Sequence, residues 1–194
     1  RPDRPAGGIG AAVAAAERRA RRSLLRGHGG GHAPVSNLEL FFDLVFVFAI
    51  TQLSHFLGHH LGWLGAFEAL MLFLALWWSW MYTTWVTNWL NPDRLPVRLM
   101  LLALMLLSLG MAISLPKAFI DKGLVFASCY VLLQLGRSLW VALAFRREGA
   151  PNSRNMMRIT IWFCASAPLW IGGALIGGAG QLVCWLAALA IEYT

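Results

Sequence analysis

The sequence predicts an all-α, polytopic transmembrane helix bundle of about six spans, with the sixth truncated and the amino terminus cytoplasmic. Three observations predict it. Apolar residues fill 58% of the 194 positions and charged residues only 13%, where a water-soluble domain has roughly half and a quarter. Mean hydropathy is +0.61, and so few charges cannot coat a surface facing water. Apolar stretches of the length a bilayer requires, about 20 residues, recur along the chain. The basic residues fall in alternate loops, as membrane topology demands.

Residues 1–37 form a tail rich in arginine and small residues, with a linker-like GHGGGHAP stretch. It reads as a disordered cytoplasmic segment, and Ala11 to Leu25 could instead lie as a short basic helix on anionic lipid. The transmembrane domain covers residues 38–194. Its first span runs from about Leu38 to Leu57, and Ser36 with Glu39 forms a capping box at its start. The second runs from about Trp63 to Leu90, where Asn91-Pro92 breaks the helix. The third runs from about Pro96 to Leu115 and stops at Pro116. The fourth runs from about Leu124 to Phe145, and the fifth from about Met156 to Ile176 with Pro168 as an internal kink. A sixth covers 181–194. The paired glycines at 172–173 and 177–178 suit close packing and a tight turn. The chain begins at Arg1 and ends at Thr194 within an apolar run, so it reads as part of something longer.

Orientation follows from the loops. The tail, the loop near 91–98 and the loop near 146–158 hold 13 of the 16 Lys and Arg residues. The opposite loops hold Lys117 and Lys122, and Arg137 lies inside a span. The positive-inside rule therefore places the amino terminus in the cytoplasm. The net charge of +7 is explained by topology, and nucleic acid is not an expected partner. Cys129, Cys164 and Cys184 are scattered through apolar runs and form neither a disulfide framework nor a metal signature.

Charges inside spans are functional candidates because lipid makes them expensive. Glu39 and Asp43 share a face of the first helix. The capping box accounts for Glu39, but Asp43 lies a turn deeper. Arg137, at a similar depth in the fourth span, is its natural partner, and Arg98 and Arg94 compete for the same carboxylate. Transport and a purely structural ion pair stand as equal readings of this pair. His55 and His59 at the outer end of the first helix, with Glu68 on the second, form a possible protonatable outer cluster, with no metal expected. Trp78, Tyr82, Trp85 and Trp89 recur at helical spacing as an aromatic stripe. It suits helix packing, a membrane-interface belt or a cavity wall. Thr51, Gln52 and Ser54 make the first helix the most polar, and the best candidate to line a pathway. Phosphate-binding, hydrolase and metalloprotease motifs are absent, so no enzyme and no cofactor are predicted. An intramembrane enzyme would have to use the His55, His59 and Glu68 cluster.

The run from Val35 to His55, VSNLELFFDLVFVFAITQLSH, resembles the opening helix of the bacterial low temperature requirement A (LtrA) family. The Trp-rich second helix, NWLNPD and the basic start of the third span resemble it too, over about residues 35 to 194. The family's name records growth in the cold and not a reaction. The resemblance implies a multi-pass protein of the bacterial inner membrane, longer than this chain. Phe42-Asp43, Val45-Phe46 and Ala49-Ile50-Thr51 also resemble the FSD-type pore-lining helix of a family of six-span potassium channels. Here Phe42 replaces that family's Ser, and its amino-terminal Arg has no clear equivalent. Together these favour a transporter or channel for a small solute or ion, with Asp43 and Arg137 gating or coupling. The alternative is a non-transporting membrane factor that supports growth at low temperature through lipid or protein contacts. Expected partners are the lipid bilayer, a small ion or solute, and the missing carboxy-terminal half or a second copy.

Overall fold

The computed structural model describes residues 37–91, 94–148 and 153–193. Ser36, the side chain of Glu39 and all of the tail before Asn37 lie outside the described residues, and with them the capping box. Among the described residues the helices are, in order, α1 (Asn37–His59), α2 (Trp63–Thr87), α3 (Leu95–Ser114), α4 (Gly123–Glu148), α5 (Ser153–Ile176) and α6 (Gly178–Tyr193). A single 3-10 turn at Leu115–Lys117 follows α3. By length and composition α1 to α5 can each cross a membrane, and α6 is a shorter apolar helix.

The helices are longer than the apolar runs that announce them. α4 continues to Glu148 and α5 starts at Ser153, so both carry arginines. Hydropathy marks where a helix meets hydrocarbon, whereas backbone hydrogen bonding continues into the polar zone beyond. α2 and α3 are exceptions: α2 ends at Thr87, ahead of the Asn91-Pro92 break, and α3 matches its apolar run in length. The α5–α6 connection is the tightest. Gly177 and Gly178 have φ of 71° and 55°, a left-handed conformation that glycine enters without the steric penalty of a Cβ. α5 remains helical through Pro168.

Packing closes the helices into a ring ordered α1–α3–α4–α5–α6–α2, with α2 and α4 also meeting across the middle. The polarity is inverted relative to a water-soluble fold. Leu61 is 87% and Trp63 96% exposed, while Arg137 is 0% exposed. Phe41, Leu44, Val47, Leu106 and Ile161 also face outward. An apolar exterior around a mostly apolar core that also holds buried polar groups is stable in lipid, where apolar surface needs no covering and polar groups must be satisfied within the protein.

Candidate functional site

Four helices bring their polar side chains together in the bundle. On α4, Tyr130, Gln134 and Arg137 are spaced four and three apart and share one face. All three are fully or almost fully buried. On α2, Ser79 and Thr83 face them. On α5, Ser166 and Trp170 are one turn apart, and α6 contributes Glu192.

The hydrogen bonds form a single chain. Arg137 Nη1 donates to the Ser79 carbonyl at 3.1 Å and to Thr83 Oγ1 at 2.9 Å. Arg137 Nη2 donates to Gln134 Oε1. Gln134 Nε2 donates to the Tyr130 hydroxyl at 3.1 Å, which donates to Glu192 Oε2. Glu192 Oε1 accepts from Ser166 Oγ at 2.6 Å and Trp170 Nε1 at 2.9 Å. Every bond between Arg137 and Glu192 points the same way, from cation to anion, so each polarises the next. Arg137 also lies 5.3 Å from the Tyr82 ring centroid and 5.9 Å from that of Phe163, within the range of cation–π attraction. Its Nε has no hydrogen-bond partner.

The two ends of the network differ. On the side of the α5–α6 connection, Phe126, Tyr130, Trp170 and Trp185 pack ring on ring at 4.5 to 6.5 Å. Trp185 Nε1 ties this plug to the Trp170 carbonyl at 2.9 Å. Toward the end carrying Asn155 and Arg158, a pocket of about 170 Å³ opens, and Tyr82, Phe163 and Glu192 are among its walls. A second cleft of about 300 Å³ adjoins it through Tyr82, Asn155 and Ile159 and is also walled by Trp78 and Trp85.

Asp43 and Arg137 are not partners. The Asp43 carboxylate accepts a hydrogen bond from Trp80 Nε1 at 2.8 Å, and among the described residues Arg137 forms no ion pair. Equal depth puts two groups at one level but does not make their helices neighbours. α1 packs on α2 and α3, while α4 lies beyond them. Arg98 is exposed on the first turn of α3. Thr51 and Ser54 donate to the carbonyls of Val47 and Ile50 at 3.0 and 3.1 Å, on their own helix.

α1 continues through Gly58 to His59, which puts His55 and His59 on one exposed helical turn. The neighbouring His60 ring stacks on Phe56 with centroids 4.4 Å apart, and its Nδ1 lies 2.9 Å from the Phe56 carbonyl oxygen. Among the described residues no three His, Cys, Asp or Glu side chains are placed to hold a metal ion. Trp78, Tyr82, Trp85 and Trp89 form a continuous ladder of edge contacts at 4.9, 6.3 and 6.2 Å. Tyr193 stacks on Trp78 at 4.0 Å and donates to the Leu74 carbonyl, fastening α6 to α2.

Replacing Trp80 by Phe leaves the half-buried Asp43 without its donor. A hydrogen bond to a charged group contributes about 2 kcal/mol, so a fall of that order in unfolding free energy in detergent is expected. An Asp43→Asn variant should lose much less, because the amide oxygen still accepts. Equal stability of Trp80→Phe and wild type would show that the bond contributes nothing.

Fold and site together define a polytopic helical membrane protein with a buried, hydrogen-bonded cation and anion. A family sequence model described as bacterial low temperature requirement A protein (LtrA) matches residues 34–194, and the chain belongs to that family. Uncharacterized protein RA0937 of Rhizobium meliloti (strain 1021) is 46% identical over 156 residues. That match covers 80% of this chain and 38% of the relative, so the chain spans well under half of the relative's length. No solved structure matches.

Proposed function

We propose that this LtrA-family chain belongs to a bacterial inner-membrane transporter or channel for a small solute or ion, with its amino terminus in the cytoplasm. The charged pair of this reading is then Glu192, in the pocket wall, and Arg137 buried behind it, not Asp43 and Arg137. One observation carries this reading: Glu192 is only 8% exposed, yet it forms part of a pocket wall, and among the described residues the fully buried Arg137 behind that wall has no carboxylate in ion-pair contact. A buried charge pair kept apart by a relay of neutral groups is expensive in lipid, and such groups mark pathways. The loop charges favour a cytoplasmic open pocket and an outer aromatic plug, an arrangement that suits one of the two states of alternating access.

The test is flux into liposomes containing the full-length protein, with alkali cations, halides and small organic osmolytes as probes. Glu192→Gln keeps an acceptor oxygen but removes the charge, and should lower flux of the transported probe roughly tenfold or more. Undiminished flux in that variant would remove Glu192 from the pathway. The three donors that saturate Glu192 favour a second reading, in which the network only clamps α4, α5 and α6 in a membrane factor for growth in the cold. That reading predicts no flux of any probe, with the same variant losing stability and cold growth.

A further inference from the structure

We propose that the pocket between α2, α5 and α6 binds a small zwitterion, a molecule joining an ammonium group to a carboxylate or phosphate. The proposal deepens the transport reading and rests on it for its physiological meaning.

The pocket carries one charge of each sign. Arg158 is exposed and marks the mouth; Glu192 is buried and marks the deep end. Both contribute to the same wall, and no ion pair joins them among the described residues. The remaining walls include Tyr82, Trp162 and Phe163, with the Asn155 amide near Arg158 on the same face of α5. A lone cation entering this space would meet Arg158, with the Arg137 guanidinium behind Tyr82 and Phe163. A lone anion would meet Glu192. Either repulsion is strong where water is scarce. A zwitterion satisfies both ends. Its ammonium lies against the aromatic faces near Glu192, the arrangement that recognises quaternary ammonium groups. Its acid group reaches Arg158 and Asn155, which can donate charge-assisted hydrogen bonds. A volume of about 170 Å³ is several water molecules' worth and suits a ligand of amino-acid size. The same chemistry belongs to a phosphatidylethanolamine headgroup.

The test is calorimetric titration of the full-length protein in phosphatidylglycerol nanodiscs with three probes. Glycine betaine carries both charges, choline lacks the acid, and 3,3-dimethylbutanoate has the shape of betaine without its positive charge. Betaine should bind at least tenfold more tightly than either analogue. Arg158→Gln, at an exposed position, should weaken betaine roughly tenfold or more and leave the fold intact. An analogue that binds as well as betaine overturns the proposal, as does an Arg158→Gln variant with unchanged affinity. Adding phosphatidylethanolamine to the discs separates the sources. Betaine binding that disappears assigns the pocket to the lipid headgroup; binding that persists assigns it to a free solute. Betaine that fails to bind, with no thermal stabilisation by phosphatidylethanolamine, also overturns it. Betaine that binds but does not cross liposomes leaves the pocket standing and removes the transport reading alone.

Discussion

Glu192→Ala and Arg137→Ala should each lower the unfolding free energy of the protein in detergent by about 3 kcal/mol. Two effects oppose each other in this figure. Interhelical hydrogen bonds in membranes contribute only about 0.6 to 2 kcal/mol each, because the unfolded helices find other partners in lipid. Against that, Glu192→Ala strands three donors at once, those of Tyr130, Ser166 and Trp170, and leaves Arg137 as an uncompensated charge. The second effect wins because the losses share one site. The double variant Arg137→Met/Glu192→Leu is the sharper measurement. With both charges removed, Gln134 and Tyr130 no longer bridge anything, so the double variant should lose about 1 to 3 kcal/mol less than the sum of the two single losses. Simple additivity in denaturant midpoints would show that the chain of hydrogen bonds does not couple its ends.

A comparable loss should follow from Gly173→Val, a site on α5 packed closely against α6. A Cβ at Gly173 would lie 2.8 Å from Cys184 Cβ and 2.9 Å from Trp185 Cδ1. The first neighbour is anchored to the α6 backbone, and the second belongs to a ring held by its bond to the Trp170 carbonyl. Neither can yield, so the helices must separate. Overpacking of this kind costs about 3 kcal/mol, and it would pull Trp170 away from Glu192 as well. The adjacent Gly172 has nothing within 4 Å of its virtual Cβ. Gly172→Ala should therefore change stability by less than about 0.5 kcal/mol. If the two variants melt alike, the close approach at Gly173 does not hold α5 and α6 together.

The glycine positions were legible because their role is local. A pair at a span end announces a turn, and Gly177 and Gly178 make one. The aromatic stripe of α2 was legible for a related reason: ring contacts one turn apart depend only on the pitch of a single helix. The Asp43–Arg137 pairing failed because it was inferred from depth, which each helix sets by itself, and not from adjacency, which no helix sets by itself. Glu192 is a charge within an apolar run, and Tyr130, Gln134 and Arg137 fall at spacings that make a polar stripe on one face of α4. Nothing in that stripe names the helix opposite it.

Sequence alone therefore determined the helical class and the places of the apolar helices among the described residues. These follow from composition, run length and periodicity, properties of single segments. Only the tertiary structure decided the ring order that joins Arg137 to Glu192 through Gln134 and Tyr130 and leaves Asp43 with Trp80. In lipid the apolar faces of all helices are equivalent to one another and to the surrounding chains. Hydropathy cannot then rank neighbours, and partner choice falls to close approach at small residues and to a few polar contacts whose geometry exists only once the bundle has formed.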